Sequence, residues 1–253
     1  MNKHDWRTSA FLFTIIGCIQ FLVLSSIAMF FYGGGTKINP NSTGYIFFMN
    51  FFSDLGRTES FGNPNTISFI LFLTTLFLAS VAFTAYFIAI PGIIGADKPE
   101  HMRILTVLGI INAGFFGAIA LTPTDLFPHL HDFIVLLAFL LLFLVSMLMY
   151  FTFKKVKFIP RVYHLVFLIF SCLIALYGFV SLITAFFPEN LLEFSLFLRV
   201  LIQKVVIYYL IICFMIQSIG ALKNYPMITK QGRLIYSKET NKQLGFNERK
   251  HDK

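Results

Sequence analysis

Long apolar runs separated by short polar breaks make up most of this chain. The first extends from about Thr8 to Tyr32, and its 25 residues exceed the roughly 20 needed to cross a bilayer. Further runs lie at about 67–94, 104–121, 133–153, 163–187 and 194–222. The pattern predicts an all-α, polytopic membrane bundle of six transmembrane helices over residues 1–222, followed by a polar, basic tail over 223–253. The first run is longer than a signal-peptide core and lacks a small-residue cleavage site, so it counts as a helix. Trp6 suits its interfacial end. Pro128 suits the first turn of the fourth helix, where a missing N–H costs nothing.

The breaks carry the chemistry. Gly33-Gly34-Gly35 ends the first helix and opens a loop to about Thr66. Within it, Tyr45 to Phe52 is apolar but too short to span. It is expected to lie in the interface or dip in as a half-helix, with Ser53 and Asp54 at its end. Asn50 to Gly56 and then Gly62-Asn63-Pro64 form a polar knot between two apolar runs. On the third helix Gly109, Ala113 and Gly117 recur every fourth residue, a stripe that lets a neighbouring backbone approach closely. That stripe marks the helix as central and is the candidate face for a homo-oligomer.

Lys and Arg set the expected orientation. Sixteen fall in the N-terminus, the second and fourth connections and the tail, against three, Lys37, Arg57 and Arg199, on the opposite side. Lys204 lies within the sixth helix. Both termini are therefore expected in the cytoplasm. Composition agrees with a membrane: 57% of the 253 residues are hydrophobic and 13% charged. The net charge of +8 lies in short loops and the tail, so no nucleic-acid partner is expected. Cys18, Cys172 and Cys213 are scattered through apolar runs and read as small core residues, without disulfide or zinc spacing.

With this topology Asp54, Arg57, Asp125, His129, His131, Asp132 and Arg199 all fall on the extracytoplasmic side. Lys204 lies about one turn deeper. A charge there either pairs, as with Asp54 or Asp132, or snorkels to the interface. Asp54 is either a ligand-binding or catalytic carboxylate or the cap of its own turn. His129, His131 and Asp132 are potential metal ligands, with Asp54 or Asp125 to complete a set, and Asp54, His129 and His131 are the metal candidates; no recognised metal spacing is present, and the bland alternative is an interfacial histidine bonded to a carboxylate. No cofactor is expected: nucleophile elbow, P-loop and dinucleotide fingerprint are all missing.

Ser53-Asp54-Leu55-Gly56, Asn63-Pro64, Pro123-Thr124-Asp125 and His131-Asp132 resemble the motifs of a prokaryotic membrane-protein family, domain of unknown function number nine hundred and ninety-eight. That family is similar to the eukaryotic FRAG/DRAM/SFK group. The resemblance spans most of residues 8–222 and implies a six-helix bundle with an extracytoplasmic polar site, but no reaction.

The leading expectation is a non-enzymatic protein of a prokaryotic plasma membrane, binding or organising membrane lipid. Ser53, Asp54, Arg57, Asp125, His131, Asp132, Arg199 and Lys204 are its candidate ligand-binding residues. One alternative is a membrane-embedded hydrolase or transferase with His131 as base and Asp54 or Asp132 as its orienter. Another is a small ion- or proton-coupled transporter, with Thr75, Thr84, Asn112 and Gln217 as its sparse polar path.

Overall fold

The computed structural model describes residues 6–94, 99–156 and 159–243. Residues 1–5, the connection at 95–98 with Gly95 and Lys98, residues 157–158 and the tail end at 244–253 lie outside the described residues. Seven α-helices follow one another among the described residues: α1 (Trp6–Phe30), α2 (Thr66–Ala89), α3 (Pro91–Ile94), α4 (Pro99–Ala120), α5 (Pro128–Lys155), α6 (Arg161–Thr184) and α7 (Leu192–Gln243). All but the four-residue α3 are long and apolar enough to cross a membrane, so the chain is an all-α multi-pass membrane protein. The spanning segments of these helices are apolar around most of their circumference, as a span in hydrocarbon requires. Ile16, Phe77 and Phe179 accordingly point away from the bundle.

Short connections make sequence neighbours spatial neighbours. Each long helix packs on the next, α1 on α2, α2 on α4, α4 on α5, α5 on α6 and α6 on α7, and α7 returns to α1. The result is a closed ring. Its tightest seam is α1 against α2. A Cβ on Gly17 would sit 2.4 Å from that of Ala82. The Thr14 hydroxyl donates to the Ala82 carbonyl (3.1 Å), and the Gln20 amide donates to the Thr75 carbonyl (3.1 Å). Beside this seam, Phe214 of α7 stacks on Phe83 of α2 with 4.2 Å between centroids and meets Tyr86 edge-on.

The small-residue stripe of α4 is used inside the chain. A Cβ on Gly109 would enter the Phe87 ring of α2, Ala113 is buried, and Gly117 lies beside Ser80 of α2. The expected homo-oligomer face is therefore occupied by α2 of the same chain. Cys172 corrects another reading: it is exposed, whereas Cys18 and Cys213 are buried.

Three boundaries differ from the hydropathy reading. The second helix stops at Ala89, because Pro91 has no N–H to continue the ladder and starts α3 instead. The fourth begins at Pro128, so His129 to Asp132 occupy its first turns. The sixth runs on into the polar stretch as far as Gln243, joining part of the expected tail to α7.

The loop over 31–65 covers one end of the ring. Its apolar segment does not form the expected half-helix. A single turn closes where the Asn50 N–H meets the Ile46 carbonyl at 2.9 Å, and Phe51 (φ −66°, ψ 160°) then breaks it. A 3₁₀ turn follows over Phe52–Gly56, and then a two-stranded hairpin of β1 (Glu59–Ser60) and β2 (Asn63–Pro64). Phe61 and Gly62, with φ of 49° and 91°, supply the two left-handed positions that its two-residue turn requires.

Gly17→Leu is expected to prise α1 from α2 and lower the thermal midpoint by the equivalent of roughly 1–3 kcal/mol. Fluorescence-detected size-exclusion of heated, detergent-solubilised protein measures this. An unchanged midpoint would contradict the close seam.

Candidate functional site

The loop meets its own backbone needs with side chains. Asn50 is fully buried. Its Oδ1 accepts the Ile46 N–H (2.9 Å), and its Nδ2 donates to the Gly35 carbonyl (2.8 Å) and the Tyr32 hydroxyl (3.2 Å). Asn65 works similarly from the far side: its Oδ1 accepts the Gly33 N–H, and its Nδ2 donates to the carbonyls of Leu55 and Arg57. The Ser68 hydroxyl of α2 also donates to the Leu55 carbonyl at 3.1 Å. Asn50 and Asn65 were not among the expected site residues. Their signal was an amide flanking each end of the polar knot.

Two residues of α7 tie the loop to the ring. The Gln203 Oε1 accepts the Phe52 N–H at 3.1 Å, and the Lys204 ammonium donates to the Asn50 carbonyl. Lys204 is only 2% exposed, so it does not snorkel. Neither does it pair with Asp54 or Asp132. The Tyr45, Phe47 and Phe52 rings lie 4.9–5.5 Å from its charge. Both expected partners give way to a backbone carbonyl and an aromatic cage, because the loop folds down over the lysine.

Asp54 is 1% exposed and caps its own 3₁₀ turn, its Oδ2 accepting the Phe51 N–H at 2.8 Å. Burial pushes its carboxyl above the ordinary range, and the Phe51 N–H, Lys37, Arg57 and Asn50 only partly offset this. Asp125 is not part of that group. It latches the hairpin, accepting from the Thr58 N–H (3.0 Å), the Thr58 hydroxyl (2.5 Å) and the Glu59 N–H (2.9 Å). Partial burial raises its carboxyl, but these donors prevail and hold it below the usual value. Arg57 turns the other way, its guanidinium donating to the Glu59 carbonyl and lying 4.4 Å from the Phe61 ring centre.

The expected cluster thus divides. Ser53, Asp54, His131, Asp132 and Arg199 line one cavity of about 690 Å³ at the loop end, while Arg57, Asp125, His129 and Lys204 do not. Tyr177 and Ser181 of α6 add polar groups to its lining, and Lys37, Thr124 and Gln203 join its polar mouth. These three were missed as site residues, although Gln203 beside Lys204 on an apolar helix was a visible signal. Lys37 also lies over the Phe51 ring, at 5.1 Å. Below the mouth the walls are apolar side chains of α5 and α6, among them Leu136, Phe139, Phe143, Ile174 and Leu182.

His131 is 3% exposed, and its Nδ1 meets the Thr122 carbonyl at 2.6 Å, rather than the carboxylate that an interfacial histidine was expected to find. Its Nε2 has no hydrogen-bond partner among the described residues. Asp54, His129 and His131 do not converge, and among the described residues no group of three His, Cys, Asp or Glu side chains does. A smaller apolar cavity of about 60 Å³ lies deeper in the ring and shares Ser53, Val135, Phe139 and Gln203 with the larger one.

No protein-family model matches this chain, and no curated protein or solved structure is significantly similar to it.

Asp125→Ala removes the hairpin latch and is expected to speed tryptic cleavage after Arg57 several-fold at neutral pH, as read by timed digestion and peptide mass. Asp54 gives a pH dependence of defined sign. Its raised value means that stability is present at low pH and is lost as pH rises through the range above an ordinary carboxylate. Asp54→Asn keeps the acceptor for Phe51 and should flatten that decline in a pH series of thermal midpoints. An unaltered slope would remove Asp54 as its source.

Proposed function

We propose that this is a lipid-binding, membrane-organising protein rather than an enzyme, and that its site faces the outer leaflet of a prokaryotic plasma membrane. The observation that carries this reading is the division of the 690 Å³ cavity into a polar mouth and apolar walls between two neighbouring helices. The volume lies within the roughly 300–1,000 Å³ of small-molecule sites. A headgroup fits among Lys37, Arg199 and Asp132, with its chains along α5 and α6, the gradient of polarity that an amphiphile itself has. The excess of Lys and Arg on the opposite side supports the outward orientation. The resemblance of the Ser53-Asp54-Leu55-Gly56 and His131-Asp132 motifs points the same way.

The rival readings find less support. A hydrolase needs a nucleophile joined to its base. Ser53 and His131 line the same cavity, but the Nε2 of His131, the atom that would serve as base, is hydrogen-bonded to no hydroxyl among the described residues. A transporter needs polar groups free to serve a path. Instead Asn112 donates to the Ala138 carbonyl, Gln217 to the Tyr163 carbonyl and Thr75 to the Leu71 carbonyl.

Gly178 offers a clean test, because it lines the cavity and a Cβ there meets nothing within 4 Å. Gly178→Trp should fill the apolar part without straining the backbone, and removing a helix-interior glycine favours the fold by up to about 1 kcal/mol. Lipid-extract mass spectrometry of the purified variant should show stoichiometric lipid reduced severalfold, with the thermal midpoint maintained. Only bulk lipid on both proteins, in equal amounts, would overturn the proposal.

A further inference from the structure

Residues lining the cavity carry buried polar atoms that the protein itself leaves without partners, and the kinds of those atoms specify a ligand. Three stand out among the described residues: Nε2 of His131, Nε of Arg199 and the hydroxyl of Thr124, all buried and all on residues lining the cavity. The Thr122 carbonyl can only accept, so the 2.6 Å contact places the ring proton of His131 on Nδ1. In the neutral form of that ring Nε2 is an acceptor. The Arg199 Nε–H can only donate, and the Thr124 hydroxyl serves in either sense. A ligand that satisfies the set brings an acceptor to Arg199 and a hydrogen-bond donor to His131. Natural buried polar groups are nearly always paired, so three around one cavity call for one molecule.

Charge narrows the choice. Lys37 and Arg199 face the mouth against the single exposed carboxylate of Asp132. Asp54 is buried and turns its Oδ2 to the Phe51 N–H. Among the groups that are not buried the balance is positive, which favours an anion and disfavours a third cation beside Lys37 and Arg199.

Resting on the lipid-binding reading above, we infer that the preferred headgroup is an anionic phosphodiester carrying a free hydroxyl, of the phosphoglycerol kind. Its phosphate oxygens accept from Arg199, and its hydroxyl donates to Nε2 of His131. A phosphocholine headgroup supplies the phosphate but no donor. A phosphoethanolamine headgroup supplies a donor but brings an ammonium next to two cations. Arginine suits the phosphate because its planar fork of donors matches two oxygens at once.

The experiment uses the full chain, delipidated in detergent and titrated with phosphatidylglycerol, phosphatidylcholine and phosphatidylethanolamine of identical chains, with binding read by native mass spectrometry and thermal shift. Phosphatidylglycerol is expected to bind roughly tenfold more tightly than the other two, the effect of one well-placed hydrogen bond to a buried partner. His131→Asn retains a donor for the Thr122 carbonyl but lacks Nε2, and should bring phosphatidylglycerol down to the level of phosphatidylcholine. Arg199→Gln should weaken all three together. The wild-type ranking stands as a test even if a variant misfolds. Equal binding of the three lipids overturns the headgroup inference while leaving the lipid-binding reading intact, whereas no retention of any lipid defeats both. Free glycerol 3-phosphate binding as tightly as the lipid would overturn the assignment to a lipid.

Discussion

A carbonyl at the end of the bundle, that of Asn50, receives the ammonium of Lys204 from inside the ring. The loop over 31–65 cannot rely on bulk water where it meets hydrocarbon, and each unpaired backbone group there would be costly. Lys204 and Gln203 answer that constraint from α7, Asn50 and Asn65 from within the loop, and Asp125 from the connection before α5. Irregular backbone is tolerated at this depth because side chains complete it. The lysine is tolerated for the reciprocal reason: a carbonyl and three ring faces replace the water that its charge gives up.

The cavity depends on this arrangement. Phe51, Ser53 and Asp54 form part of its wall, and they stand where they do because the Phe52 N–H is held by Gln203 while Asp54 closes the 3₁₀ turn. Gln203 itself lines the cavity, so one side chain both anchors the loop and faces the ligand space. Changes to the loop tie are therefore changes to the site.

The helices were legible because twenty apolar residues in a row leave few other structures open, and the ring order follows from short connections. The candidate site was legible in part. Asp54, His131, Asp132 and Arg199 could be grouped at one end, since a polar residue at the end of a membrane helix already has its depth fixed by sequence. Depth does not give azimuth. Asp125 is next to Thr124 in the chain, yet Thr124 lines the cavity while Asp125 bonds to Thr58. Lys204 was misassigned for a different reason. A lysine's reach admits several partners, and the one chosen, a loop carbonyl, carries no side-chain signature. The small-residue stripe of α4 had the same ambiguity, because a close-packing face does not announce whose backbone approaches it.

The two sides of the ring differ in how tightly they close, and that difference gives the cavity its place. Around α1, α2 and α4, glycines and alanines bring backbones together and the Phe83, Tyr86 and Phe214 rings fill the interior. Between α5 and α6 the buried links are Phe153 edge-on to Phe167 and a pair of serines, Ser146 and Ser171, 2.7 Å apart. Towards the loop end from there, Gly178 leaves open space where a side chain would stand. A ring that packed equally on all sides would have no room for a guest; one that packed loosely on all sides would not hold Lys204 in place. Rigidity on one side and a gap on the other let the same bundle hold a fixed set of polar groups over a slot whose walls are mostly apolar.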